Sequence, residues 1–88
     1  MFYTYVLLCK DSKRNRNEFY IGYTEDLPER FKQHQAGEVK TTKSFDKIIL
    51  VYYEACLNKS DAIKRELQLK TGFGRGYLNR RLEGYLKE

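Results

Sequence analysis

Apolar residues along the chain fall into three short runs of strand type, and the first two are close together. Residues 2–9 and 19–24 are rich in aromatic and β-branched side chains, and both are too short for helices of that content. The polar, charged segment 10–18 reads as a loop, so the two strands form a long hairpin. The continuous apolar run 48–55 favours a third strand that is covered on both faces.

The first helix is predicted after the hairpin, where polar and apolar positions change to helical spacing. Asp26 is a suitable N-cap, and Pro28 is tolerated in a first helical turn. The helix is expected to run to about Gln35 and to end at 36–37, an Ala-Gly pair. Residues 38–47 then form a polar connection.

Two more helices are predicted in the C-terminal third. Asn58 or Ser60 caps a helix over 60–71, and 77–87 has the spacing of an amphipathic helix. The glycine-rich stretch between them, 72–76, matches neither the GxGxxG pattern nor the Walker A phosphate loop, and it follows a helix instead of a strand. We therefore predict a helix–helix turn.

The element order is therefore β-β-α-β-α-α, and it predicts an α+β fold in one domain over residues 1–88. We expect a small three-stranded, largely antiparallel sheet flanked by helices. The chain is 41% hydrophobic, which is enough for one modest core.

The composition also bears on where the protein works. Cys9 and Cys56 form neither a CxxC pair nor a zinc spacing, and both have apolar neighbours, so we expect two small buried side chains in a reducing cytosol. No segment has the length of a membrane span or the pattern of a signal peptide. We therefore predict a cytoplasmic protein.

Charge and tyrosine content indicate a nucleic-acid partner. The net charge is +5, and residues 59–88 carry eight basic and four acidic side chains. A basic surface attracts polyanions, and the eight tyrosines offer stacking faces and hydroxyl groups. The alternatives are a solubilising surface and ordinary strand tyrosines.

A glutamate lies within the apolar stripe of the second helix. Glu66 is four residues from Ala62 and three from Leu69, so it faces the same way as these apolar side chains. A carboxylate facing a core needs compensation, which a divalent cation or an arginine would provide. The alternative is a carboxylate at the margin that pairs with a neighbouring lysine.

A cation and the only histidine share one face of the first helix. Arg30 and His34 are four residues apart, and both border the apolar positions Leu27 and Phe31. A lone histidine near apolar residues is often structural. With an arginine beside it, the pair favours a phosphate site.

The first two strands carry a set of tyrosines. Tyr3 and Tyr5 share a face, while Tyr20 and Tyr23 stand on the neighbouring strand. Gly22 between them allows a ligand or a backbone to approach closely. The alternative is that these tyrosines only pack against helices.

Taken together, these residues resemble the motif of the GIY-YIG nuclease superfamily. The YIG half is intact at 20–22, and residues 3–5 correspond to the GIY half, with its tyrosine kept as Tyr5 but its glycine and isoleucine lost. Arg30 and His34 follow the YIG glycine at the family's spacing.

The resemblance extends over nearly the whole chain. Glu66 matches the family's metal-binding glutamate on the next helix, and Asn79 matches a later asparagine. The chain is most similar to small stand-alone bacterial members, which resemble the incision module of the excision-repair nuclease.

The resemblance implies hydrolysis of a DNA phosphodiester with one Mg²⁺ or Mn²⁺ ion held by Glu66. Arg30 would bind a phosphate oxygen, and Tyr5 would accept the proton of the attacking water. Tyr20 and His34 are the groups expected to draw off the tyrosine proton, since histidine ordinarily titrates near neutral pH.

Gly22 would let the scissile backbone come near. A further set of polar and basic side chains would bind flanking phosphates without reading sequence; these are Lys10, Lys13, Arg14, Arg16, Arg75, Asn79, Arg80 and Arg81. No small-molecule cofactor is expected.

Two alternatives to a nuclease remain. One is a nucleic-acid-binding module that keeps the fold but cleaves little or nothing, and the other is a protein-interaction module. The set of Tyr5, Tyr20, Arg30, His34 and Glu66 argues against the second, because a scaffold has no use for a glutamate on an apolar stripe.

Overall fold

The computed structural model describes residues 1–88 and has seven elements. In chain order they are β1 (Phe2–Asp11), β2 (Arg16–Thr24), α1 (Leu27–Gln35), β3 (Lys47–Cys56), α2 (Lys59–Leu69), α3 (Gly72–Arg81) and α4 (Glu83–Leu86). None of the helices combines the length and the apolar character needed to cross a bilayer.

The sheet has three strands in the order β2-β1-β3, and both pairings are antiparallel, which confirms the predicted fold class. The central strand is β1, whose residues from Thr4 to Cys9 are all buried. β3 was expected to be covered on both faces, and its Ile48 and Leu50 pack against one core cluster while Val51 and Tyr52 pack against the other. It is nevertheless an edge strand, and Tyr53 is 53% exposed. The apolar runs 2–9 and 48–55 do not reveal which one forms the central strand, because strand order depends on the pairing of distant segments.

The hairpin is longer than predicted, and its turn is short. Both ends of the predicted loop pair with each other in the ladder, with Lys10 opposite Asn17 and Asp11 opposite Arg16. Asn15 has φ 51°, a left-handed conformation that asparagine tolerates in turns. The strands continue through polar residues because their backbone N–H and C=O groups bond to each other, while this part of the sheet is exposed to water.

The first two helices begin as the sequence predicts. An Asp26 carboxylate oxygen accepts the Glu29 N–H at 3.1 Å, and Gly37 follows α1 with φ 76°. The Asn58 side chain accepts the N–H of Ser60 at 2.9 Å at the start of α2.

The predicted glycine turn at 72–76 is wrong, because these residues are the first part of α3. Thr71 caps the helix by accepting the Gly74 N–H at 3.4 Å. A Cβ atom at Gly74 would overlap the backbone of Leu69, so α2 and α3 meet too closely for any other residue. The predicted helix 77–87 is divided, since the chain leaves helical geometry at Leu82 before α4.

The sheet has two covered faces, which we call the α1 face and the α2 face. The α1 face packs Tyr5, Leu7 and Cys9 against Leu27 of α1. The α2 face consists of core residues from the sheet and from α2 and α3, namely Val6, Ile21, Leu69 and Leu78.

The two cysteines are free and differ in exposure. Cys9 is buried, and burial, with a smaller effect of Glu18, raises the pKa of its thiol to about 11. The expectation of a buried Cys56 is wrong, because it lies near the end of an edge strand and is partly exposed.

Candidate active site

Tyr5 is the centre of a polar cluster on the α1 face. It pairs with Gly22 across the ladder, so the two residues point to the same face of the sheet. A Cβ atom at Gly22 would overlap the Tyr5 hydroxyl and ring. The structure thus gives Gly22 a different role from the expected one, because the tyrosine itself fills the space left by the missing side chain.

His34 is fully buried and links Tyr5 to the loop after α1. Its Nε2 lies 2.9 Å from the Tyr5 hydroxyl, and its Nδ1 lies 2.8 Å from Thr42 Oγ1. Thr42 is also buried, and its hydroxyl donates to the Val39 carbonyl at 3.5 Å. A histidine seven residues after buried Leu27 lies on the same side of α1, which explains why it points at the sheet.

Arg30 stands at the outer end of this cluster. Its Nε donates to the Tyr5 hydroxyl at 3.4 Å, and an outer nitrogen donates to Gln33 Oε1 at 3.0 Å. The ion pairs of the molecule involve other arginines and lysines, so this half-buried guanidinium has no acidic partner. An arginine held in place without a counter-ion is suited to bind an anion.

Tyr20 completes the cluster from β2. Its ring centroid lies 5.0 Å from that of His34 and 6.2 Å from that of Tyr5. Tyr3 is on the same face but packs edge-on against Tyr53 at 6.0 Å. Tyr23 was grouped with these tyrosines, yet it pairs with Thr4 on the α2 face, since it stands three residues from Tyr20 along a strand.

Burial shifts both titratable groups of the cluster toward their neutral forms. It raises the pKa of Tyr5 to about 12, although the hydrogen bond from Arg30 opposes this. Burial, with repulsion from Arg30 as the second cause, lowers the pKa of His34 to about 4. The expectation that His34 titrates near neutral pH is therefore wrong for the free protein, where it is an uncharged imidazole.

Glu66 lies on the other side of the sheet, on α2. Its side chain is 18% exposed, between buried Ala62 and Leu69, in agreement with its place on the apolar stripe. Its carboxylate is 2.8 Å from Lys70 Nζ, which is the lysine pairing anticipated as the alternative reading. The structure brings Tyr5, Tyr20, Arg30 and His34 into mutual contact, but no hydrogen bond joins Glu66 to them.

A groove along the outer edge of β2 links the two sides. It has a volume of about 570 Å³ and is lined by Asn17, Glu18, Phe19, Tyr20, Ile21, Leu69, Lys70 and Arg75. Tyr20 comes from the α1 face, whereas Lys70, the partner of Glu66, comes from α2. Glu66 itself does not line this groove, but its partner Lys70 does.

Glu66 is suited to a weakly held divalent ion. The chain has no group of three or more His, Cys, Asp or Glu side chains that could enclose a metal. Mg²⁺ is commonly held by one or two carboxylates, substrate phosphates and water, so a single carboxylate such as Glu66 is compatible with this ion.

The basic residues expected to bind phosphates divide into two groups. Lys10, Lys13, Arg14 and Arg16 lie at the hairpin end, where Arg14 is 3.7 Å from Asp11. Arg16 also stands over the Phe45 ring, 5.6 Å from its centroid.

The second group lies on α3, where Arg75, Asn79, Arg80 and Arg81 are exposed. Among the expected phosphate-binding residues, only Arg75 lines the β2 groove.

Two residues of the site, Thr42 and Gln33, were not anticipated, and a third, Lys70, was expected only as an unnamed lysine near Glu66. Thr42 lies in the polar connection, where no periodic pattern marks a buried side chain. Gln33 is an ordinary helix residue whose contact with Arg30 depends on rotamers. Lys70 had a signal in the sequence, since it stands four residues after Glu66 on the same helix.

Comparisons with known proteins indicate the family of the chain. The model of the GIY-YIG catalytic domain family matches residues 1–86. A UPF0213 protein of Staphylococcus haemolyticus is 40% identical over 70 residues, which cover 78% of this chain and 79% of the relative. One from Pediococcus pentosaceus is also 40% identical over 70 residues, covering 78% of this chain and 68% of the relative.

A solved structure is also similar. The solution NMR structure of a UPF0213 protein from Bacillus halodurans is 32% identical, with a TM-score of 0.45, and covers 98% of this chain and 82% of that one. With a family model that matches almost every residue, the chain belongs to the GIY-YIG family.

Proposed function

We propose that the protein is a divalent-metal-dependent endonuclease that hydrolyses a phosphodiester bond of DNA beside the β2 edge. The observation that carries the proposal is Arg30, a half-buried guanidinium held by Tyr5 and Gln33 without an acidic partner. A backbone phosphate supplies the missing negative charge. Membership of the GIY-YIG family supports the same chemistry.

Arg30 holds a non-bridging oxygen of the scissile phosphate. Its Nε is already oriented by the Tyr5 hydroxyl and one outer N–H group by Gln33, and the other N–H groups of its planar fork are free for the anion. The phosphate is then bound directly beside the hydroxyl that takes part in the reaction.

Tyr5 accepts a proton from the attacking water while its own proton passes to His34 Nε2, 2.9 Å away. The water oxygen bonds to phosphorus, and the bond from phosphorus to the leaving oxygen breaks. In the free protein this transfer is opposed by a Tyr5 pKa of about 12 and a His34 pKa of about 4. A bound phosphate offsets the charge of Arg30 and favours the imidazolium, so the transfer is coupled to substrate binding.

Glu66 would hold Mg²⁺ or Mn²⁺, and such an ion would supply positive charge to the phosphate and the leaving oxygen. Lys70 must release the carboxylate for this, and its ammonium can then bind a phosphate in the groove that it already lines. Arg75 binds a second phosphate along the same groove, without reading sequence.

The test is cleavage of branched, flapped and single-stranded DNA in Mg²⁺ or Mn²⁺ by the wild-type protein, Glu66→Gln and Glu83→Gln. Glu83 is a matched control, because it too pairs with a lysine four residues on, Lys87, at 2.8 Å. We expect cleavage to be lost in Glu66→Gln and kept in Glu83→Gln.

Other results would favour the alternatives. Salt-sensitive binding without cleavage by any form would support a nucleic-acid-binding module and overturn the enzyme. Absence of binding to every nucleic acid would support a protein-interaction module.

A further inference from the structure

We propose that Thr42 is a positioning residue that holds His34 in the Nδ1–H tautomer, with the Nε2 lone pair directed at the Tyr5 hydroxyl. The tautomer follows from hydrogen bonding alone, while its effect on catalysis rests on the proposed function. Thr42 belongs to none of the motif positions of the sequence and lies in the connection between α1 and β3.

The first step of the argument is the Tyr5 proton. Tyr5 is 1% exposed, so its O–H must find an acceptor within the protein. Two side chains form hydrogen bonds with the hydroxyl, and Arg30 is only a donor. His34 Nε2, at 2.9 Å, is the nearest acceptor for this proton, and it accepts in its unprotonated form.

The second step is the other ring nitrogen. A neutral imidazole that accepts at Nε2 carries its proton on Nδ1, and this proton points at Thr42 Oγ1, 2.8 Å away. The Thr42 hydroxyl proton is then directed at the Val39 carbonyl, at 3.5 Å. Donors and acceptors run in one direction from Arg30 through Tyr5, His34 and Thr42 to Val39.

The opposite tautomer does not satisfy the same groups. With the proton on Nε2, both the ring and Arg30 would donate to the Tyr5 oxygen, and the buried Tyr5 O–H would lose its acceptor at 2.9 Å. Thr42 disfavours this arrangement because its hydroxyl proton is directed at the Val39 carbonyl, which leaves the oxygen to accept from Nδ1.

The loop fixes Thr42 firmly enough for this task. The backbone N–H of Thr42 donates to the Val39 carbonyl at 3.1 Å, which closes a tight turn. The side chain itself is 1% exposed, so no water competes for Nδ1. Phe45, three residues later, packs against the core of the α1 face.

The test is nitrogen NMR of the imidazole, which is unambiguous because His34 is the only histidine in the chain. At neutral pH we expect the wild-type ring to show a protonated Nδ1 and an unprotonated Nε2. Thr42→Val keeps the side-chain shape but removes the oxygen, and it should shift the ring toward the Nε2–H form or a mixture. Thr42→Ser restores the oxygen and should restore the wild-type pattern.

The NMR result decides the positioning role whether or not the protein cleaves DNA. A wild-type ring protonated on Nε2, or an unchanged pattern in Thr42→Val, would overturn the proposal. If Thr42→Val unfolds, Thr42→Ala, which also lacks the oxygen, takes its place in the comparison with Thr42→Ser.

Kinetics then test the link to the proposed reaction. Thr42→Val should lower kcat about 10-fold to 100-fold with little change in KM, since it affects proton transfer and not binding. Thr42→Ser and the exposed neighbour variant Thr41→Val should retain activity. Equal activity in all three variants would remove the catalytic part of the inference.

Discussion

Each face of the sheet has a hydrogen-bonded tyrosine and an arginine, but only the arginine on the α2 face has a carboxylate. There, Arg65 donates to both Glu54 oxygens, at 2.9 Å each, and Tyr52 donates to the same carboxylate at 2.9 Å. On the α1 face, Arg30 contacts only neutral groups, Tyr5 and Gln33.

The α2-face network is complete within the protein. The Tyr77 hydroxyl lies 2.9 Å from that of Tyr52, and the Arg65 guanidinium stands over the Tyr77 ring at 4.8 Å. Burial acts to raise the pKa of Glu54, but hydrogen bonds from Arg65 and Tyr52 outweigh it and lower the pKa. This network holds α2 and α3 on the sheet.

The α1-face network ends in an uncompensated positive charge. Its interior groups are neutral, because burial disfavours tyrosinate and imidazolium alike. The contrast supports the proposal that the α1-face network binds an anion, whereas the α2-face network is structural.

The largest expected effect separates the two arginines. Arg30→Met should lower cleavage by about 10²- to 10³-fold, as loss of an electrostatic contact to the reacting group does elsewhere, with little change in stability. Arg65→Met should keep cleavage but lower the free energy of unfolding by about 1–2 kcal/mol. Both side chains of this ion pair are only partly exposed to solvent, and the variant leaves the Glu54 carboxylate without its cation. Kinetics and urea unfolding measure both, and equal losses of activity in the two variants would contradict the contrast.

The second prediction concerns acid. The pKa of His34 is lowered from 6.5 to about 4, so the unfolded chain binds more protons than the folded one between these values. Stability should be full above pH 6.5 and fall by up to roughly 3 kcal/mol as pH drops to about 4. The pKa of Glu54 is also lowered, so its contribution to the free energy of unfolding is lost at lower pH, as the carboxylate becomes protonated below the usual glutamate range.

His34→Gln is the control for the acid prediction. Urea unfolding at several pH values should show that this variant lacks the decline between pH 6.5 and 4. A decline of the same size in the variant would assign it to other groups.

The third prediction compares glycines on the two sides of the sheet. Gly22→Ala should cost about 1–3 kcal/mol and displace Tyr5, because the new Cβ overlaps its hydroxyl. Gly76→Ala on α3 meets only the flexible Arg80 side chain, at 3.2 Å, and should stabilise the helix by about 0.5–1 kcal/mol. Thermal unfolding measures both, and a stable, active Gly22→Ala would show that Tyr5 is not held as described.

The smallest effect is expected at Lys70. An ion pair between residues four apart on a helix contributes about 0.3–0.5 kcal/mol, so Lys70→Gln should barely change stability and should raise Mn²⁺ affinity about twofold. Electron paramagnetic resonance measures the free ion in the absence of DNA, with Lys87→Gln as the control. A decrease in affinity would show that Lys70 does not compete for Glu66.

The sequence by itself determined the features that depend on near neighbours. The N-caps Asp26 and Asn58 and the position of Glu66 on an apolar stripe follow from local spacing and hydrogen bonding. The intact YIG motif and the spacing of Arg30 and His34 likewise identified the family before any coordinates.

Tertiary structure decided what depends on residues far apart in the chain. It made β1 the central strand, turned the glycine-rich stretch at 72–76 into a helix against Leu69, and filled the space above Gly22 with Tyr5. It also placed Thr42 behind His34 and lowered the histidine pKa. Strand order, close helix contacts and burial arise only when distant segments pack, so no local pattern in the sequence encodes them.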